Sequence, residues 1–592
     1  MSDPLSLGEP ADKNAWRALV EKALKGAPWS RLVSRTADGI ELKPLYRETD
    51  IATADDAAGF PGAAPFVRGA RAGGAWLVRQ AYNHPDPEHA NRDILADLRG
   101  GVGAIELVVD PTGAHGIAIT NARELDVALA DVILEAAPVS LDAGAHVAPL
   151  LLTKLKGVAP PGTALNLDPL CLTTAAAMRE AIAPWRAMPS LDVLRIDARA
   201  PHEAGASEAQ EIAFALSVGI HALKLLGEAG VAADDVGDLL KFGVSVGPDV
   251  LVEAAKLRAL RLCWARVMDA SGAAPEKRAA RIQAFTSRRM LTRYDAWSNI
   301  LRITTAAFAA GVGGADEITT LPFTNALGVA TPFARRVARN TQNVLLEEAH
   351  LGQVMDPAGG AWFVEKVTQD LAHAAWAKMQ AIEAGGGLLA VLRSGALAAE
   401  IAAVREARAK AFALRKETIT GVTDFPALDE TRPEIARARD RGTAPHGLRP
   451  IRWAEPFEAL RDRAEACTPR PSVFFANLGA PAEFGPRSNF ARNLFAVGGV
   501  SAIGPENEYV SGNALIAGYK QSGARVAIIC GADARYSEDM PAIAEALRDA
   551  GCRHIILAGE PRGTDLIQQF VWNGCDVLEA LKSAHAALGI SP

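Results

Sequence analysis

"SVFFANLGAPAEFGPRSNFARNLFAVGGVSAIG" runs from Ser472 to Gly504. It opens on an apolar, aromatic run, passes through a Gly/Pro-rich stretch, continues as the helical pattern NFARNLFAVGG and re-enters an apolar run at VSAIG. Strand, loop, helix, strand is the repeat of a parallel sheet, because parallel neighbours need a crossover. In open α/β sheets the loop after a strand's C-terminal end is where ligands bind. This loop holds no Cys or His, and its one acid is Glu483.

The same pattern continues to the C-terminus. RVAIICG and HIILAG read as further strands. NALIAGYKQSG, DMPAIAEALRDAG, TDLIQQFVWNG and VLEALKSAHAALG read as helices. Continuous β-branched runs are expected of strands covered on both faces, so residues 471–592 are expected to form a flavodoxin-like or Rossmann-like parallel sheet. Upstream, residues 416–470 are rich in Pro, Arg and acids and read as an ordered linker with helical pieces. Residues 36–415 alternate short apolar runs (AIELVVD, TALNLDPL, DVLRIDA, ITTLPF) with long amphipathic stretches such as EAQEIAFALSVGIHALKLLGEAG. About eight such units suit a closed (β/α)8 barrel, with a doubly wound sheet as the alternative. Residues 1–35 read as an N-terminal arm, with helical spacing at Trp16, Leu19, Val20 and Leu24. A subunit-clasping arm and a helix packed on its own domain both fit.

With 49% hydrophobic and 22% charged residues, the 592-residue chain has a globular composition. A net charge of −7 argues against nucleic acid and anionic membranes as partners. No signal-peptide pattern or membrane span is evident, so a cytoplasmic location is expected. The six cysteines form no CxxC and read as reduced thiols.

Several stretches resemble one family, the methylmalonyl-CoA mutases. They are TADGIELKPLYRETD (36–50), LVEAAKLRALRLCWARV (251–267), RRMLTRYDAWSNILRITTAAFAAGVGGADEIT (288–319) and FARRVARNTQNVLLEEAHLGQVMDPAGGAWFVE (333–365). The resemblance spans nearly the whole chain in order. It implies a TIM barrel that takes an acyl-CoA along its axis, a C-terminal cobalamin-binding domain and a radical rearrangement started by adenosylcobalamin, the cofactor carrying the hard chemistry.

Residue by residue, the resemblance implies losses. Active members carry DxHxxG after the first strand of the cobalamin domain. Here those slots fall on Pro481, Glu483 and Pro486, and a carboxylate is a poor substitute for imidazole on cobalt. No DxHxxG occurs elsewhere; His446 lies in the linker and His554 in a strand. The turns that hold the cofactor's tail carry Asp533, Arg535, Glu560 and Arg562, charges that need pairing or solvent. In the barrel, the slot for the His that bonds the thioester carbonyl is Ala200. His202 is offset by two residues, about 7 Å along an extended segment. The substrate-facing Tyr has no counterpart, Tyr82 matching a different position. The substrate Gln and carboxylate-binding Arg fall on Asn166 and Ala176, and Ala cannot replace an Arg clamp. Arg335, Arg336 and Arg339 are read as structural, with contact to CoA phosphates as the alternative.

Four functions are therefore missing together, and LPFTNALG (321–328) also resembles the small-subunit version of its segment. The expectation is a non-catalytic small (β) subunit. It would have no catalytic, metal or cofactor-binding residues of its own and would form a heterodimer with a large (α) subunit that holds adenosylcobalamin and interconverts (R)-methylmalonyl-CoA and succinyl-CoA. The alternatives are a self-sufficient acyl-CoA mutase with an altered site and an acyl-CoA-binding regulatory protein.

Overall fold

A computed structural model describes residues 12–51, 58–142, 144–438, 445–504 and 511–591. Eight parallel strands close into a barrel: β1 (Leu77–Tyr82), β2 (Ala104–Val108), β3 (Val139–Asp142), β4 (Ala164–Leu167), β5 (Asp192–Asp197), β6 (Leu240–Val246), β7 (Ile282–Thr286) and β8 (Glu317–Thr319). Strand β8 pairs with both β7 and β1, with Ile318 opposite Ala284 and Val78. This is the (β/α)8 architecture, and the doubly wound alternative is set aside.

The outer helices follow from their caps and apolar faces. Glu208–Glu228 starts at Ser207, whose hydroxyl accepts from the Gln210 amide while the Gln210 side chain reaches back to the Ser207 N–H. It is the one helix among the described residues long and apolar enough to cross a membrane, but 78% of its apolar window is buried in the shell, which makes it a core helix. It packs with Val250–Ala270 and Trp362–Ala384.

The C-terminal unit is a five-stranded parallel sheet of β9 (Ser472–Asn477), β10 (Ser501–Ile503), β11 (Val526–Cys530), β12 (His554–Ala558) and β13 (Gln569–Val571), in the order β10-β9-β11-β12-β13. This is the flavodoxin-like order, with its switch point between β9 and β11. Two readings need correction. TDLIQQFVWNG is not a helix: its centre is β13, with Phe570 paired to Leu557. The spacing of Leu566, Ile567, Phe570 and Val571 mimics a helix, and pairing with a free sheet edge overrides it. Likewise, CGADARYSED contains the short helix Asp533–Glu538.

The linker is ordered where described. Arg437–Ala438 pairs with Gly328–Val329, and the helix Glu455–Glu465 meets the barrel through Glu458, which accepts from Arg293 at 3.1 Å and from Arg452 at 2.7 Å. In the arm, Lys13–Leu24 is helical and has no buried residue. Beyond the arm, Asp38 accepts from the Ala209 amide (2.9 Å) and the Ser207 hydroxyl (2.5 Å), fastening the segment that enters the barrel to the start of the Glu208–Glu228 helix.

Candidate functional site

The bore of the barrel is filled by charged side chains rather than left open for a ligand. At its N-terminal end Arg79 donates to Glu317 (2.6 Å), Ser140 (2.8 Å) and the Gly162 carbonyl (2.8 Å). Lys241 reaches Glu317 (3.4 Å) and Asp192 (3.7 Å). In the middle, Arg195 pairs with Glu106 at 2.8 Å and Gln283 donates to the other Glu106 oxygen at 2.9 Å. Gly243 leaves room for the Arg195 stem: a Cβ there would stand 3.1 Å from Arg195 Cδ. At the C-terminal mouth Arg195 and Arg199 share Asp142, at 2.5 and 2.9 Å, and the Arg199 guanidinium lies 4.2 Å from the Phe285 ring centre.

Burial pushes the Glu317 carboxyl up, but Arg79 and Lys241 outweigh it and hold the pKa at about 2. Asp142 is likewise held well below the usual carboxylate range by Arg199 and Arg195 against the opposing effect of burial. These groups stay charged and fix one another. Beside a cavity of about 200 Å³ lined by Asn83, Pro85, Thr112 and Val329, the cavity over the bore, lined by Asp142, Arg199 and Phe285, has a volume of about 30 Å³. That is room for one or two waters, against roughly 300 Å³ or more for a small-molecule site.

The substrate slots lie where they cannot serve. Asn166 ends β4 with φ +53° and spends its amide on the Leu141 carbonyl at 2.9 Å. Ala176 is exposed on the helix Ala175–Ala181. Ala200 sits in the short helix Arg199–Glu203, so the segment expected to be extended is helical. His202, in the same helix, is fully buried, and its Nδ1 and Nε2 bond Glu211 (2.8 Å) and Ser287 (2.9 Å). Burial first, then Arg289 and Lys256, push its pKa well down. It is a satisfied core imidazole with no route to a thioester. Tyr82 is buried beneath Arg335.

The cobalt-ligand slots also lie on a helix. The stretch that reads as a ligand loop is short: after Gly479 and Ala480 the helix Pro481–Val497 begins at once, with Pro481 in its first turn and Pro486 inside it. Proline is pre-organised for a first turn, which draws the helix start forward into the Gly/Pro stretch. Glu483 Oε2 accepts from the Ala480 amide (2.8 Å) and Oε1 from Arg535 (2.9 Å). Its pKa is lowered, first by Arg535 and then by that amide. A carboxylate so engaged offers cobalt nothing, and the two prolines carry no donor. The residues present do not fit the cofactor.

Tyr536 closes the space between the ends of β11 and β12. Its hydroxyl donates to the Ala558 carbonyl (2.7 Å) and accepts from the Gly531 amide (3.1 Å), and Arg487 and Arg562 lie over its ring at 4.7 and 5.2 Å. Asp533 pairs with both arginines, and Arg535 also reaches Asp539. Asp533, Arg535 and Arg562 of these two turns are thus all held in ion pairs. Glu560 is exposed and His446 pairs with Asp168 at 3.0 Å, while His554 bonds Gln569 at 3.1 Å as a strand residue.

Arg335 is buried against Asp93 (3.0 Å), and Arg339 pairs with Asp97 (3.0 Å). Both are committed to joining two helices and are unavailable to phosphates. Arg336 is exposed. In DPAGGAWFVE, Asp356 and Glu365 both accept from Arg258 of the Val250–Ala270 helix, and Glu365 also accepts from the Gly360 amide (3.0 Å). The six cysteines are unpaired thiols. Reading the strands as apolar runs misses Arg79, Glu106, Arg195, Lys241 and Glu317, and reading CGADARYSED as a turn misses Tyr536. The signal available was a charge in the middle of an otherwise apolar strand, Arg79 in LVRQAY and Arg195 in DVLRID.

A sequence model described as methylmalonyl-CoA mutase matches residues 35–165 and 173–448. The methylmalonyl-CoA mutase small subunit of Streptomyces virginiae is 41% identical, covering 98% of this chain and 97% of the relative. That of Propionibacterium freudenreichii subsp. shermanii is 36% identical, covering 98% and 95%. A methylmalonyl-CoA mutase of Cereibacter sphaeroides is 31% identical over 72% of this chain and 66% of its own. With a matching barrel and full-length relatives of that name, the chain belongs to the methylmalonyl-CoA mutase family.

Proposed function

We propose that this chain is the non-catalytic small (β) subunit of an adenosylcobalamin-dependent methylmalonyl-CoA mutase. Its role is to stabilise a larger catalytic (α) subunit, which holds the cofactor and interconverts (R)-methylmalonyl-CoA and succinyl-CoA. The observation that carries this reading is the filled bore: an acyl-CoA cannot thread a barrel whose axis is occupied by Arg79, Glu317, Arg195 and Glu106 and whose mouth leaves about 30 Å³. The closed space around Tyr536 supports the same reading at the cofactor end. The names of the full-length relatives point to a two-subunit enzyme. The arm helix Lys13–Leu24, with no buried residue of its own, is assigned to the partner's surface.

The purified chain, mixed with adenosylcobalamin and passed through gel filtration, should elute without the cobalamin absorbance and without mutase turnover. Co-expressed with a DxHxxG-bearing large subunit, it should co-elute with it, and turnover should appear in the pair. Stoichiometric cobalamin on this chain alone would overturn the reading in favour of a self-sufficient mutase. Saturable acyl-CoA binding without cobalamin would favour a regulatory protein.

A further inference from the structure

Four large exposed apolar side chains that the barrel core does not use lie at its C-terminal rim and on the linker segment bonded to that rim. Trp297 is 46% exposed, Leu301 70%, Phe333 47% and Phe425 76%. Trp297 stacks on the buried Phe323 at 5.1 Å and lies 6.4 Å from Phe333, and the exposed Arg336 stands 5.5 Å over the Phe333 ring. Leu301 follows Trp297 by one turn. Phe425 comes to the same rim on the linker, whose loop is bonded to this region three times. Arg302 donates to the Thr420 carbonyl (2.6 Å), the Asp295 amide to Glu430 (2.8 Å) and the Trp297 indole to the Thr431 carbonyl (3.3 Å).

Phe425 is the residue that makes this rim more than scattered apolar surface. Its φ is +52°, in the left-handed region, and Pro426 follows, which restricts it further. Such a backbone persists only where its surroundings over-determine it. They do here: the Gly421 amide donates to the Asp424 carbonyl (2.7 Å), Arg415 to the Thr423 carbonyl (2.8 Å) and Asn493 to the Asp424 carboxylate (3.2 Å). The loop is pinned between barrel and sheet domain, and it holds a strained aromatic out into water. Among the described residues the Phe425 ring makes no aromatic or cation–π contact, and it is 76% exposed.

We infer that the rim formed by Trp297, Leu301, Phe333 and Phe425 is the docking surface for the large catalytic subunit, with Phe425 as a preformed anchor for an apolar pocket on that partner. The inference rests on the subunit reading above. The four side chains offer about 450 Å² of apolar surface, within the range of the largest patch on a monomer and about half of one partner's share of a standard interface. Trp and Arg are among the side chains that carry most of the energy of such contacts, and Phe is enriched in them. Arg336 makes no ion pair among the described residues and calls for an acid opposite. A second copy of this chain docked rim to rim would offer Arg336 another arginine in place of an acid.

The test uses the co-expressed pair, with affinity read by titration of the full-length chains. Phe425→Ser and Leu301→Asp should each weaken the heterodimer by about tenfold or more, while the thermal midpoint of the isolated chain stays unchanged. Phe425→Gly, which accepts the left-handed backbone, should weaken the pair equally with the midpoint unchanged or raised. Wild-type affinity in the Phe425 and Leu301 variants, with association still lost on removing the arm, overturns the rim assignment and leaves the subunit reading standing. Failure of the wild-type chains to associate overturns the reading and the rim together. Self-association of the isolated chain, abolished by Leu301→Asp, assigns the rim to a second copy and overturns the proposal.

Discussion

Glu317 sits between Arg79 and Lys241 at the narrow end of the bore. Its pKa is depressed from an ordinary 4.5 to about 2, so its contribution to stability is fully present above about pH 4.5 and is lost as the pH falls through about 2. Glu317→Gln leaves two buried cations short of a counter-charge and should cost about 3–5 kcal/mol. It should also flatten the acid limb between those pH values. Urea unfolding of wild type and variant across that range checks both; an unchanged acid limb in the variant would show that Glu317 is not the titrating group. At this scale the alanines at positions 176 and 200 were legible in the sequence, and the resemblance made them slots in which no alanine can clamp a carboxylate or bond a thioester. His202 was not: its spacing to EAGA is consistent with an offset ligand, and only its burial between Glu211 and Ser287 removes it.

The element that changes most in the structure is the turn after β9. Gly479 has φ +81°, and a Cβ there would lie 2.4 Å from Glu483 Oε2, the oxygen that accepts from the Ala480 amide. Gly479→Ala should therefore destabilise the sheet domain by about 1–3 kcal/mol, seen as a lower midpoint in thermal unfolding. A variant as stable as wild type would mean that the helix start does not depend on this packing. Strands and helices were readable from period and punctuation wherever burial alone decided them, as in VAIIC and the Glu208–Glu228 helix. They were misread where a neighbour decided them. The Pro481 region became helix because Glu483 and proline support a first turn, and Gln569–Val571 became strand because β12 had a free edge.

At the scale of the whole molecule, the arm, barrel, linker and sheet follow in chain order, and the arm helix contributes no buried residue. Deleting residues 1–25 should leave the unfolding midpoint of the isolated chain nearly unchanged while lowering the affinity of the pair; a large loss of stability would place the helix on its own barrel instead. By itself, the sequence determined that this protein is a parallel α/β chain with a barrel ahead of a flavodoxin-like sheet, and that its ligand slots hold residues of the wrong chemistry. The parallel α/β pattern follows from local quantities, namely apolar periodicity and crossover spacing, whereas the barrel in place of a doubly wound sheet, and the positions of the ligand slots, are what the resemblance to the mutase family implies. Only the tertiary structure decided that the bore is closed. Whether Arg79, Arg195 and Lys241 line a channel or block it depends on where Glu317, Glu106 and Asp192 stand on other strands, and the closed barrel brings those far-apart residues within bonding distance.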